Sequence, residues 1–274
     1  MSSEIGGYPT TPLSQGAMPM DLTGNDTEYG PYALETTQRH AYGRRLITWD
    51  GRVFKYAHSL ATLYAGYGAR NGAGADVSTL INSNTTVAVV AGDKTVLVTI
   101  AATEGYAADG LVAENELAGA FLVIGHGAAT TTETRMVVAN TAVASGGGTT
   151  TVTLDHPLVL AHAAGFMELP LNPYRYLIKD TELASVMGVP NISTTTGYNL
   201  WIQSWGPCWC VPGGGDSTPG DSVNDREVYF VHDGSTNGGT ALTIENGYQR
   251  AGFIIDATES GTGCMPLVML QISV

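Results

Sequence analysis

The stretch from Tyr198 to Pro212 reads YNLWIQSWGPCWCVP and holds three of the four tryptophans of the chain. In an extended strand, successive side chains point to opposite faces, so Trp201 and Trp205 lie on the same face. Indole rings bury a large apolar area and are more often part of a core than of a ligand site. We therefore predict that Trp201, Trp205 and Trp209 anchor the core or an oligomer contact.

Four short apolar segments follow this stretch, and Gly, Asp, Ser or Asn residues separate them. Short strand-like runs at near-regular spacing are typical of a closed or sandwiched antiparallel sheet. Residues 170–274 are therefore predicted to form a C-terminal β domain. Its predicted strands after the tryptophan-rich stretch are Glu227–His232, Thr240–Glu245, Ala251–Ile255 and Met265–Val274.

A second group of predicted strands occupies residues 85–169, which we expect to form a middle β module inserted in the chain. Glycine-rich breaks separate the strands, and the sequence PLNP at residues 170–173 marks the end of the module. The predicted strands are Thr86–Ala91, Thr95–Ala101, Gly119–Ile124, Thr134–Ala139 and Thr149–Leu154. The sequence thus predicts a mainly β fold, in which an extended N-terminal arm is followed by two small antiparallel β-barrel or β-sandwich modules.

Residues 1–43 are predicted to form this extended arm. Prolines and glycines recur every few residues, and the apolar side chains follow neither helical nor strand periodicity. We expect the arm to order against a partner, and a terminus without fixed structure is the alternative. The candidate partner-binding residues of the arm are Pro12, Leu13, Met18, Met20, Leu22 and Tyr29.

Residues 44–84 are predicted to form a β-hairpin and a connector. The segments Arg45–Trp49 and Arg52–Tyr56 flank Asp50-Gly51, a strong signal for a two-residue turn. Two interpretations of the basic residues in and beside this hairpin remain open: a solvated face, or a docking surface for an acidic protein. These basic residues are Arg39, Arg44, Arg45, Arg52 and Lys55.

The formal net charge of −13 is unevenly distributed along the chain. Residues 1–70 carry six basic and six acidic side chains, whereas the remainder carries six basic and nineteen acidic ones. Because an acidic body repels phosphate, nucleic acid is excluded as a partner. We see no signal peptide and no apolar run of roughly 20 residues, so we predict no membrane partner. We expect the cysteines to be free thiols formed in a reducing cytoplasm.

Motifs that carry catalysis are absent from the sequence. It contains no nucleophile elbow, phosphate-binding loop, dinucleotide fingerprint or zinc-protease motif. His126 lies between two glycines, which is more typical of a turn than of a catalytic base. Calcium binding by the acidic residues of loop 213–227, Asp216, Asp221 and Asp225, is less favoured than a solvated loop. We therefore predict a protein that is not an enzyme and that binds neither a cofactor nor a metal.

Three stretches of the middle region have a characteristic order of turn and strand residues: VAGDKTVLVTIAATEGYAADGLVAENELAGAFLVIGHG at 90–127, TRMVVANTAVASGGGTTTVTLDHPLV at 134–159 and LNPYRYLIK at 171–179. They resemble a structural protein family of tailed bacteriophages, the head decoration (cement) or head-fibre proteins. The continuation YNLWIQSWGPCWC and the hairpin sequence DGRVFKYA are also similar to that family, so the resemblance covers Arg44 to Val274. It is carried by turn and strand patterns rather than by catalytic signatures. The candidate capsid-binding residues that it implies are those of the arm and of the basic hairpin named above.

The resemblance implies a virion protein that is made in the host cytoplasm and lies on the capsid exterior. Such a protein bridges neighbouring major capsid proteins, stabilises the expanded head and favours a homotrimer at sites of threefold symmetry. The family offers no active-site residues to transfer, and the cluster of Cys208, Trp209 and Cys210 departs from its pattern. The alternative function is a tail or head-fibre protein that binds host surface glycans through Trp205 and Trp209.

Overall fold

The computed structural model folds into two curled antiparallel sheets of eleven and six strands, and the described residues contain no helix. This architecture confirms the predicted mainly β fold with two β modules. The arm residues 1–29 and parts of several loops lie outside the description. The structure describes residues 30–72, 80–84, 88–105, 109–125, 132–179, 185–213, 219, 226–238, 248–256 and 266–273.

The larger sheet combines strands from both ends of the chain, and the smaller sheet lies between them in sequence. The first strands of the larger sheet are β1 (Leu34–Glu35), β2 (Arg45–Ile47), β3 (Val53–His58) and β4 (Ala69–Asn71). The smaller sheet contains β5 (Leu80–Asn84), β6 (Thr95–Ile100), β7 (Phe121–Ile124), β8 (Glu133–Asn140), β9 (Gly148–Leu154) and β10 (Phe166–Pro170). The larger sheet is completed by β11 (Leu177–Ile178), β12 (Val186–Pro190), β13 (Asn199–Trp209), β14 (Glu227–Phe230), β15 (Thr236–Gly238), β16 (Gln249–Asp256) and β17 (Leu267–Gln271).

The strand order shows how the chain leaves and rejoins the larger sheet. β4 pairs with β11 and β12, so the chain leaves the larger sheet after Asn71 and returns at Leu177. The smaller sheet, in the order β5-β10-β7-β8-β9-β6, is built entirely from the intervening residues. The hairpin strands β2 and β3 therefore belong to the same sheet as the C-terminal strands.

β13, the tryptophan-rich stretch, is the centre of the larger sheet because β1, β3, β12 and β17 all pair with it. Leu200 and Ile202 pack into one apolar cluster, whereas Trp201 and Tyr56 pack into another. Since alternate residues point to opposite faces, both faces of this half of β13 are covered. Burial is consequently continuous from Asn199 to Ser204.

The smaller sheet instead shows the alternation expected of a sheet with one buried face. In β6, Val96, Val98 and Ile100 are buried, whereas Thr95 and Leu97, at alternate positions, are exposed. The buried residues of β6 to β10 form one continuous apolar core. The predicted strands of the middle module at Thr95, Gly119, Thr134 and Thr149 coincide with β6, β7, β8 and β9 to within two residues at either end.

The hairpin forms where it was predicted, but its turn has three residues rather than two. The N–H of Gly51 donates to the carbonyl of Thr48 at 3.0 Å, and the N–H of Thr48 donates to Arg52 at 3.0 Å. Gly51 has φ +82°, whereas Asp50 does not have a positive φ. A primed two-residue turn needs positive φ at its first central residue, so the loop Trp49-Asp50-Gly51 closes the hairpin with a glycine bulge instead.

A buried polar contact joins the two sheets. The Tyr176 hydroxyl, next to β11, donates to the Glu116 carboxylate in the loop before β7. The same carboxylate accepts the N–H of Ala113 at 2.6 Å. Asn172 adds a second link, because its amide donates to the carbonyl of Tyr42 at 3.1 Å. The sheets therefore meet through satisfied buried polar groups as well as apolar packing.

Candidate binding surface

An open pocket of about 250 Å³ lies beside the second half of β13. Tyr32 and Trp209 line it, and their side chains are 54% and 52% exposed. Half-exposed aromatic rings beside a pocket combine apolar area with polar edges, which favours binding over core packing. The complete lining is Tyr32, Arg52, Ala65, Gly66, Asn191, Gln203, Pro207, Cys208 and Trp209.

An irregularity in β13 shapes this pocket. The pairing with β3 shifts between Gln203 and Trp205, and Gly206 adopts φ +94°. A Cβ on Gly206 would lie 2.9 Å from Cγ of Arg52, so only glycine allows this close approach. The Gln203 amide donates to the carbonyls of Trp205 at 3.1 Å and Pro207 at 2.8 Å, which stabilises the irregular segment.

Arg52 links the hairpin to the rim of the pocket. Its Nε donates to Asp50 at 2.7 Å, its Nη1 donates to the Tyr32 hydroxyl at 3.2 Å, and its guanidinium lies 5.5 Å from the ring of Phe54. Burial alone would raise the pKa of Asp50, but hydrogen bonds from Thr48 and Arg52 outweigh it and lower that pKa. Arg52 is thus a fixed cation beside Tyr32.

The other basic residues predicted to bind a partner are distributed around the hairpin. Arg45 on β2 and Lys55 on β3 are direct cross-strand partners. Burial, together with the charge of Arg45, lowers the pKa of Lys55. Arg39 pairs with Glu35 at 3.5 Å, and Arg44 lies 3.4 Å from the ring of His40. The structure therefore brings Arg45 and Lys55 together as like charges, a destabilising arrangement on a sheet.

The end of the predicted arm lies on this same surface. The candidate residues Pro12, Leu13, Met18, Met20, Leu22 and Tyr29 lie outside the described residues. β1, which falls within the predicted arm, pairs with Leu200 and Asn199 of β13. Tyr32, two residues after the first described residue, contacts Arg52 at the pocket. The described part of the predicted arm therefore lies beside the hairpin and the pocket.

The three tryptophans of β13 have different environments. Trp201 is buried, with its ring 5.1 Å from that of Tyr56, as expected of a core anchor. Trp205 is half-buried, and Trp209 is half exposed at the pocket. Trp49, at the tip of the hairpin, is 57% exposed. Sequence reasoning missed Trp49 and Tyr32 as surface residues, although a tryptophan beside a turn signal could have identified the former.

Cys208 on β13 and Cys210, just after its end, are buried free thiols. Cys208 and Cys210 belong to the apolar cluster beneath β14, β16 and β17. A hydrogen-bond interaction with Cys208 and burial both raise the pKa of Cys210 well above its ordinary value. A buried thiol with a raised pKa is unreactive and packs as a small apolar residue. These two cysteines therefore have a packing role in the described structure.

A buried acid in the smaller sheet was not recognised from the sequence. Glu133 accepts the N–H of Val159 at 3.0 Å and that of Leu160, and it pairs with Arg135 at 2.5 Å and His162 at 3.3 Å. Burial alone would raise the pKa of Glu133, but these bonds outweigh it and lower that pKa. All its partners lie in β8 or the loop after β9, so the carboxylate fixes that loop.

Several residues considered for catalysis or metal binding are not part of the described structure. His126, Asp216, Asp221 and Asp225 lie outside it. Within the described ranges, no group of three or more His, Cys, Asp or Glu side chains is placed to hold a metal ion. No helix there is long and apolar enough to cross a membrane. The chemistry available at the pocket is thus aromatic stacking, apolar contact and a guanidinium.

No protein-family model, curated protein or solved structure matches this chain. The resemblance to capsid decoration and head-fibre proteins, and the partners that it implies, therefore stay predictions.

Proposed function

We propose that this chain is a structural protein of a bacteriophage virion. In this role it decorates the capsid exterior and bridges neighbouring major capsid proteins, and thereby stabilises the expanded head. It acts by binding and not by catalysis, as a homo-oligomer, with a trimer favoured by threefold sites.

The observation that carries this proposal is that the two candidate docking elements, the arm and the basic hairpin, lie next to each other. The arm joins the body at β1 on β13, and the basic hairpin lies beside it, with Arg52 bonded to Tyr32 at 3.2 Å. Exposed aromatic residues and a guanidinium on one surface match the composition of protein-binding sites. A partner engaged by the arm would thus also meet the hairpin.

The like-charge pair on the hairpin supports an acidic partner. Arg45 and Lys55 are cross-strand partners on the face of the hairpin opposite to Phe54 and Tyr56, and together they offer two positive charges to a partner's carboxylates. Binding through this pair should weaken as salt rises, because partly exposed charges are screened.

The proposal is tested with purified expanded heads that lack the protein. Replacing Arg45 and Lys55 together by Glu should lower the affinity for heads by at least about tenfold, because complementary charges then become like charges. Arg250→Glu, on β16 of the same sheet, is the matched control and should bind as the wild type does. Deleting residues 1–29 should also reduce binding while the remainder stays folded. Unchanged binding by both variants would contradict the proposal.

Glycan binding at the pocket is a second candidate function. It is favoured by Tyr32 and Trp209, which flank the pocket and are each about half exposed. Titration with purified host surface polysaccharide should quench tryptophan fluorescence in the wild type. Trp209→Ala should remove this quenching, and Trp49→Ala, which changes an equally exposed tryptophan outside the pocket lining, should retain it. Quenching that persists in Trp209→Ala would reject the pocket as the glycan site.

A further inference from the structure

The outward face of four adjacent strands in the smaller sheet has an unusual composition. β6, β7 and β9 direct alternate residues inward, and β8 does so up to the bulge after Val137, so the residues between the inward ones form the outer face. None of these eleven residues carries a charge. They are Thr95, Leu97, Thr99, Phe121, Val123, Thr134, Met136, Val138, Thr149, Thr151 and Thr153.

Large apolar side chains form part of this outer face, which we call the neutral face. Phe121 and Met136 are direct cross-strand partners on β7 and β8, and both are exposed. Val138 follows on β8, and Leu97 lies opposite Thr151 on the β6–β9 pair, again exposed. Two carboxylates border these side chains, because Asp155 accepts the N–H of Met136 at 3.2 Å and Glu168 on β10 lies opposite Val123. Exposed apolar side chains on neighbouring strands are typical of a contact surface.

The neutral face stands out because the same part of the chain is strongly acidic. Residues 88–170 carry eight acidic and two basic side chains. The charged residues of β8 itself, Glu133 and Arg135, pair with each other at 2.5 Å and contact the loop after β9. Charged residues are therefore common around the smaller sheet, but none occupies the outward positions of β6 to β9.

We propose that the neutral face is the contact between copies of this chain. Two copies, each with a formal charge of −13, repel each other wherever acidic surfaces meet. An uncharged face allows a second copy to approach without this cost, and it offers a charged partner no complementary group. A self-contact also places the same apolar side chains on both copies, as the isologous interface of a twofold dimer requires.

The size of the neutral face sets the expected strength of association. Standard interfaces use about 20–30 residues a side, roughly twice the number on this face. Association should consequently be reversible and depend on protein concentration. The inference rests on the homo-oligomer of the proposed function but gives a twofold dimer in place of a trimer, and it does not require that the chain binds a capsid.

Sedimentation velocity of the full chain over a wide concentration range tests this contact. The wild type should show a rising average mass, and Phe121→Lys and Met136→Lys should each raise the dissociation constant by about tenfold or more. Phe253→Lys on β16 is the matched control, because Phe253 is 40% exposed and Phe121 is 45% exposed. Circular dichroism verifies that each variant stays folded.

Each result supports or rejects the neutral face. A monomeric wild type at all concentrations would overturn the inference, and so would variants on the neutral face that associate as the wild type does. Loss of association in Phe253→Lys alone would move the contact to the larger sheet. A monomer that still binds heads would reject the neutral face and leave the capsid proposal intact. An oligomer that depends on Phe121 but does not bind heads would support the neutral face and reject the capsid proposal.

Discussion

The two sheets differ in the way sequence determines their structure. The smaller sheet uses simple alternation, so its core and its outer face follow from the order of residues on each strand. The larger sheet assembles strands that are far apart in sequence around β13, which is buried on both faces over its first half. All four tryptophans and the pocket belong to the larger sheet or its loops, whereas the neutral face belongs to the smaller one. The two sheets thus expose different chemistry. The larger sheet exposes charged and aromatic groups, whereas the outer face of the smaller sheet is uncharged on four strands.

The largest expected effect is on the centre of the larger sheet. Trp201→Ala should lower the free energy of unfolding by about 3–5 kcal/mol, because it leaves a cavity between buried aromatic rings. Urea unfolding followed by tryptophan fluorescence reports on this sheet alone. Trp49→Ala, at an exposed site, should change stability by less than about 0.5 kcal/mol. If Trp201→Ala lowered the free energy of unfolding no more than Trp49→Ala does, β13 would not be the most important strand for the stability of the larger sheet.

In the smaller sheet, the matching test is Glu133→Gln. The Glu133 carboxylate accepts two backbone N–H groups and also pairs with Arg135 and His162. Removing its charge should lower the free energy of unfolding by about 1.5–3 kcal/mol at neutral pH. Because the pKa of Glu133 is lower in the folded state, its stabilisation is present above the ordinary value of 4.5 and is lost as pH falls through the folded value. The variant should therefore lose stability less steeply in acid, as measured by thermal unfolding against pH.

The control for this acid is Glu114→Gln, which changes an exposed carboxylate in the loop before β7. Its stability and acid dependence should match those of the wild type. If Glu133→Gln also matched the wild type, the carboxylate would not fix the loop after β9.

Tyr176→Phe tests the connection between the sheets. It removes the hydrogen bond to Glu116 and should cost about 1–3 kcal/mol, since the buried carboxylate loses a donor. Tryptophan fluorescence follows the larger sheet, and far-UV circular dichroism follows both, so weaker coupling should separate the two transitions. Tyr64→Phe, at an exposed tyrosine, is the control and should leave the transitions coincident. Coincident transitions in Tyr176→Phe as well would show that apolar packing alone couples the sheets.

The smallest expected effect is a gain of stability. Arg45→Gln should stabilise the free protein by roughly 0.2–1 kcal/mol, because it removes the repulsion with Lys55 across β2 and β3. The gain should shrink at high salt, which screens the pair. Urea unfolding of Arg44→Gln provides the control, with no gain expected. A destabilised Arg45→Gln variant would show that the pair does not repel in the folded protein.

The fold of the smaller sheet was largely predictable from the sequence. β6, β7 and most of β9 alternate between buried and more exposed residues, and the predicted segments at Thr95 and Thr149 match β6 and β9 closely. The pairing within the larger sheet was not predictable, because β4 meets β11 and β12 over more than 100 intervening residues and no local signal encodes such contacts. The hairpin turn was predicted one residue too short, since the sequence Asp-Gly fits both a two-residue turn and a glycine bulge.

The candidate site was predictable only in part. Trp209 and Arg52 were singled out from composition, but nothing in the sequence showed that they line one pocket with Tyr32. Their proximity depends on a bulge in β13 and a positive φ at Gly206, and both are set by pairing with distant strands. The neutral face could have been found by listing the outward positions of the predicted strands Thr95–Ala101, Thr134–Ala139 and Thr149–Leu154.

The most direct test of the structural role is the copy number of this protein in purified virions. Quantitative gel densitometry against the major capsid protein measures it without assumptions about binding residues. The proposed decoration role predicts about as many copies as there are capsid subunits, or a fixed large fraction of that number. A few copies per particle would contradict a cement role and favour a tail or head fibre. Complete absence from the virion would contradict both structural roles.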